Sequence, residues 1–175
     1  ISVTGVQTCA LPIYARTTSG ADFDLDAVAL ILGNNGKVLN DQHFIFFNNL
    51  KSPDGAVEHT GDNLTGEGDG DDEVINVNLA GLSPAVERVV VAVSIYDAVA
   101  LQLTFGQVEN AFIRVVNADN NTELARYDLS EDASVATAMV FGELHKVGNE
   151  WNFRAIGQDY ASGLGGIAAE FGVNV

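Results

Sequence analysis

The segment Glu58 to Glu73, EHTGDNLTGEGDGDDE, carries seven acidic side chains (Glu58, Asp62, Glu67, Asp69, Asp71, Asp72 and Glu73) and neither Lys nor Arg. Crowding that much like charge into one loop is unfavourable unless a cation neutralises it. The donors on offer are hard oxygens: the carboxylates, the Asn63 amide, the Thr65 hydroxyl, and carbonyls freed by Gly61, Gly66, Gly68 and Gly70. Calcium takes roughly six to eight such oxygens in flexible geometry, and a glycine-rich loop can wrap around it. Magnesium keeps more of its water, and zinc wants His or Cys, where only His59 is near. A second acidic row lies upstream. In Asp22-Phe23-Asp24-Leu25-Asp26, strand alternation puts three carboxylates on one face and Phe23, Leu25 and Ala27 on the other. Asp97, at the end of a β-branched run, is a further oxygen donor. A charge run is ordinarily a solvated surface loop; two acidic rows in one chain favour a shared calcium site.

That site is not an EF-hand. Asp22, Asp24 and Asp26 match the opening of the EF-hand loop, but Ala27 replaces its turn glycine and Gly33 sits where the closing Glu belongs. The glycines from Gly66 to Gly70 do not make a phosphate loop either, since acids separate them and no Lys follows. His43, His59 and His145 are scattered, which suits structural roles better than catalysis. No GxSxG, HExxH or Cys–His arrangement is present. The sequons at Asn63 and Asn120 are read as chance. A metal-dependent hydrolase would need a base, and His59 is the imidazole available for it.

The elements that must hold these residues are strands. Alternation from Ala21 gives way to a continuous apolar run, Ala27 to Leu32, the pattern of a strand buried on both faces. A Gly33–Gly36 turn, a Phe-rich strand over His43–Asn48 and a Pro53-Asp54-Gly55 turn follow. Val74–Leu79 alternates cleanly, and Arg88–Ala98 is the most β-branched run, predicting a central strand. Two hairpins are expected: Ala111–Asn117 with Thr122–Leu129, and Thr137–Lys146 with Trp151–Ile156. Tyr160–Phe171 alone has a helical cast, weakened by its glycines. Short strands with a turn signal every ten residues or so predict an all-β protein. Its expected architecture is a β-sandwich of two mainly antiparallel sheets with a short C-terminal helix.

Composition narrows the functions. The chain has 175 residues, enough for one domain with a sizeable core. Its 24 acids against 8 Lys and Arg give a formal net charge of −16, which repels nucleic acid and anionic lipid. Cys9 is the only cysteine, so an intrachain disulfide and a CxxC centre are excluded and a reduced, cytoplasmic setting is expected. No apolar run approaches the roughly 20 residues of a membrane helix. Residues 1–13, ISVTGVQTCALPI, read as a non-native leader, with Tyr14–Val175 as the domain proper.

Several stretches resemble the TerD domain of tellurium-resistance proteins. They are Gly20-Ala-Asp22-Phe-Asp24-Leu-Asp26-Ala, Asn48-Asn-Leu-Lys51-Ser-Pro-Asp54-Gly, Glu58-His-Thr-Gly61-Asp-Asn63, and Gly66-Glu-Gly68-Asp-Gly70-Asp-Asp-Glu73. Phe105-Gly-Gln107, Asn110-Ala-Phe-Ile-Arg114 and Arg126-Tyr-Asp-Leu-Ser-Glu131 extend the match in order, from about Ala15 to Val175. The resemblance implies a calcium-binding β-sandwich with a bacterial stress role. It carries ligand roles onto Asp24, Asp26, Asp62, Asn63, Asp69, Asp71, Asp72 and Glu73, with Asn49 and Asp97 as further carry-overs. It departs at the start, where Tyr14-Ala15-Arg16 stands in place of a Trp-Asp-Ala-Arg-like stretch and the strands before it are expected to be missing. The function expected is therefore a non-enzymatic, Ca2+-binding stress module. Its partners would be calcium ions and other proteins of a stress or membrane-associated resistance complex, without nucleic acid or membrane insertion. The alternative is a module that holds a nucleotide or metabolite through the bound metal.

Overall fold

β-Branched and alternating segments dictate strands here, and the computed structural model describes residues 3, 7–16, 25–60, 73–107, 109–128 and 135–174. The strands are β1 (Thr8–Arg16), β2 (Leu25–Leu32), β3 (Phe44–Ile45), β4 (Val57–His59), β5 (Glu73–Asn78), β6 (Arg88–Ile95), β7 (Glu109–Asn117), β8 (Thr122–Asp128), β9 (Ala138–Val147) and β10 (Glu150–Tyr160). The helices are α1 (Ala98–Leu101) and α2 (Gly163–Glu170). The strands pair antiparallel into two five-stranded sheets, β4-β5-β1-β7-β8 and β10-β9-β6-β2-β3. The architecture is the expected sandwich with a short C-terminal helix, and both expected hairpins form, as β7–β8 and β9–β10.

The unbroken apolar run of β2 is explained by burial on both faces. Ala27, Ala29 and Ile31 join the core between the sheets, with Val91, Val93, Phe105 and Phe141. Val28, Leu30 and Leu32 lie on the outer face, where Ile167 and Ala168 of α2 cover them. β6 is the middle strand of this sheet, flanked by β2 and β9. Its Val-rich sequence is what a position with neighbours on every side requires.

β1 occupies the centre of the other sheet, between β5 and β7. Thr8–Ile13, read from sequence as part of a leader, pairs with Asn78–Glu73 of β5. Cys9 and Leu11 are fully buried between the sheets, and the Val3 N–H donates to the Trp151 carbonyl at 3.0 Å. Pro12, which has no N–H, falls between the Ala10–Val116 and Ile13–Ile113 pairs of the β1–β7 ladder, where no pair joins the strands and the register is kept.

Two expectations are revised. The strand predicted over His43–Asn48 shrinks to Phe44–Ile45, because side chains around it bond the backbone locally. The Asn40 side-chain Oδ1 accepts from the Gln42 N–H at 3.0 Å and from His43 Nδ1 at 2.7 Å, while Asn49 Nδ2 donates to the backbone carbonyls of Gln42 and Phe44. The last strand runs on past Ile156 to Tyr160 through a bulge between Ala155 and Gln158. Gly157 supplies the left-handed backbone that the bulge needs, at φ +68°.

Candidate metal centre

Four of the residues predicted as calcium ligands lie in the described part of the structure: Asp26, Asn49, Glu73 and Asp97. Asp22, Asp24, Asp62, Asn63, Asp69, Asp71 and Asp72 lie outside the described residues. The four come from different elements, and the topology brings them to one end of the sandwich.

Asp26 is the second residue of β2 and is 2% exposed; by alternation it shares the outer face with Val28 and Leu30. It pairs with Ser94 of β6, itself buried. Leu25 pairs with Ile95, so Asp97, two residues further along, stands at the same end of the sheet. Asp97 is exposed and holds φ +51° in the turn from β6 to α1, a conformation that Asp tolerates better than most residues. Glu73 opens β5 in the facing sheet and is 1% exposed. Its Oε2 accepts the Ala27 N–H at 2.6 Å, one residue along β2 from Asp26. Ala27 lies beyond Ala29 and Leu30, the two residues that β3 pairs, so this carboxylate serves the edge of β2 that β3 leaves uncovered. The same Oε2 accepts from His59 Nε2 at 3.1 Å, with both side chains fully enclosed.

The His59 contact orients the Glu73 carboxylate. The signal for that partnership is the β4–β5 register. His59 faces Ile75, which makes Glu73 its diagonal neighbour on the same face. Beyond His59, the Thr60 N–H and Oγ1 both donate to the Val74 carbonyl at 3.0 Å. The acidic stretch 61–72 is thus the connection from β4 to β5, and Glu73, just after it, is tied to β2. Asn49 is near by chain: the carbonyl of the next residue, Leu50, accepts the His59 N–H at 2.7 Å. Among the described residues no group of three or more His, Cys, Asp or Glu side chains is close enough to hold a metal. The donors that are described are carboxylates and an amide, the chemistry of an oxygen-only calcium site rather than a zinc site.

Sequence reasoning passed over a second buried acid. Glu143 of β9 is 1% exposed and accepts from Arg88 Nη1 of β6 at 3.2 Å and from Arg154 Nη2 of β10. Its place beside Met139, Val140, Phe141 and Leu144 in the strand was the available clue, since a carboxylate buried there needs cationic partners on the neighbouring strands. Cys9 is chemically quiet: burial pushes its thiol up to about 11.

The TerD domain model matches residues 5–171. The chain is 58% identical to the tellurium resistance protein TerD of Serratia marcescens over 160 residues, covering 91% of this chain and 83% of that one. It is 47% identical to general stress protein 16U of Bacillus subtilis (strain 168), covering 89% of this chain and 81% of the relative. A crystal structure of a protein designated SAV2460 superposes with a TM-score of 0.82 at 29% identity, covering 98% of this chain and all of that one. The chain belongs to the TerD family, whose members carry tellurium-resistance and stress-response names.

Proposed function

We propose that this TerD-domain protein is a non-enzymatic calcium-binding module of a bacterial stress response, working in the cytoplasm. Calcium would join the Asp22–Asp26 strand end to the 61–72 connection, with Asp24, Asp26, Asp62, Asn63, Asp69, Asp71, Asp72 and Glu73 as oxygen donors and Asn49 and Asp97 flanking them. The observation that carries the reading is the Glu73–Ala27 hydrogen bond, which pins the end of the acidic connection beside Asp26. A connection carrying Asp62, Glu67, Asp69, Asp71 and Asp72 next to that anchor would gather negative charge there, and a divalent cation would relieve the repulsion. The ordered connection would then present a surface to partner proteins of a stress or membrane-associated resistance complex. Reduction of tellurium oxyanions by the chain itself is disfavoured, because the buried Cys9 is a poor thiolate at neutral pH.

Calorimetric titration of chelator-stripped protein with calcium tests this. Saturable heat and a rise of several degrees in Tm are expected, with magnesium much weaker. No heat and no shift at millimolar calcium would sink the proposal.

A further inference from the structure

The outer face of the β10-β9-β6-β2-β3 sheet has a second polar centre, at the end away from Asp26. A pocket of about 290 Å³ opens there, close to the lower limit of ordinary small-ligand sites. Its lining includes Arg88, Lys146 and Arg154. The chain has only 8 Lys and Arg among 24 acids, so gathering three of them at one pocket runs against its overall charge. Glu87 and Glu143 also line it, which leaves one positive charge in excess with His145 neutral.

The cationic groups are held in place. Glu143, buried beneath them, receives Arg88 on one carboxylate oxygen and Arg154 on the other. Each guanidinium carries five donors, and Glu143 takes one from each. Their side chains remain 34% and 59% exposed. The Gly33–Gly36 turn walls one side. Gly36 has φ +75°, and Arg88 Nη2 lies 3.0 Å from where its Cβ would stand, so a larger residue would crowd the guanidinium. His145 also lines the pocket, and its Nδ1 is buried with no hydrogen-bond partner among the described residues. Two oriented guanidiniums beside an ammonium are a phosphate-recognition chemistry: planar forks for paired oxygens and a point charge for the remainder.

We propose that this pocket binds a small phosphate-bearing anion, independently of calcium at the opposite end of the sheet. Asp26 to Gly33 spans roughly 23 Å at the ordinary strand rise, so the anion would not be a ligand of the metal. The source of the phosphate, inorganic or a small ester, is what the arms of the experiment separate.

Full-length protein is titrated with inorganic phosphate and with glycerol 3-phosphate at ionic strength fixed by sodium chloride, following heat and Tm. Saturable binding of at least one of them is expected. A threefold or greater preference for the ester identifies an organic phosphate, and equal affinity identifies the phosphate group alone. Lys146→Gln, which leaves the Glu143 pairs intact, should weaken binding at least threefold with Tm unchanged in the absence of anion. Arg154→Gln should weaken it at least tenfold. Affinity no better than for chloride, or affinity unchanged by both substitutions, overturns the proposal.

Discussion

Glu73 and Glu143 are both 1% exposed, yet they sit at opposite ends of the sandwich and are stabilised in different ways. Glu143 has a guanidinium on each oxygen, so its charge is cancelled by groups that stay ionised at any physiological pH. The described partners of Glu73 are a backbone amide and an imidazole, which direct the carboxylate. One end gathers arginines and suits an anion. The other adjoins the acid-rich 61–72 connection, where a cation is proposed. The sign of the proposed ligand follows from what surrounds each buried acid, not from the acid itself.

The largest expected effect is at the cation-seeking end. Glu73→Ala removes the tie between β5 and β2 and the enclosed contact to His59, at a cost of roughly 2–5 kcal/mol for two buried donors. Urea denaturation with calcium and with chelator should show a wide gap between the two curves for the natural protein and almost none for Glu73→Ala. Glu143→Ala should cost less, about 1–3 kcal/mol, because both of its arginines are partly exposed and can turn to water. It should keep the calcium gap intact. A larger loss for Glu143→Ala, or a calcium gap that vanishes with it, would break the comparison.

Cys9 offers an internal reporter for both variants. Fully buried in the middle of the core, it should resist a thiol reagent at pH 8 in the folded chain and react fully in denaturant. Labelling should be faster in Glu73→Ala than in Glu143→Ala, since the larger stability loss opens the core more often.

The smallest effect is expected from Asp54, an exposed carboxylate at neither end. Partial burial works to raise its pKa, but bonds from Ser52 Oγ and the N–H groups of Ala56 and Ser83, aided by His43, leave it below the usual carboxylate range. A depressed folded pKa stabilises above the unfolded value of about 4 and is lost as pH falls through the folded one. Asp54→Asn should therefore cost a little stability at pH 7, and the difference from the natural chain should close in acid. A difference that grows on acidification would show that another group dominates there.

Much of this was legible in the residues because strand periodicity is local. The two-faced burial of β2, the central place of β6 and both hairpins follow from runs of a few residues each. Of the expected one-faced row of acids, Asp26 alone lies within the described residues, as the second residue of β2. What was not legible depends on pairing across distance. Nothing near His59 in sequence names Glu73 as its partner; the β4–β5 register does. Glu143 looks like a stray charge until β6 and β10 bring Arg88 and Arg154 to it. The Phe-rich stretch after His43 has strand composition throughout, but Asn40 and Asn49 divert its backbone into turns.

The central place of β1 has a consequence in time. Its partners are β5 and β7, and Cys9 pairs with Asn117, more than half the chain away. During synthesis this strand emerges before either neighbour exists, with Leu11 and Cys9 bare and its ladder groups unpaired. Contacts of such sequence separation close slowly and leave a sticky strand waiting in the meantime. The slowest step in building this protein should be the one that slots β1 between two later strands, and a chain stalled there is the form most prone to aggregate.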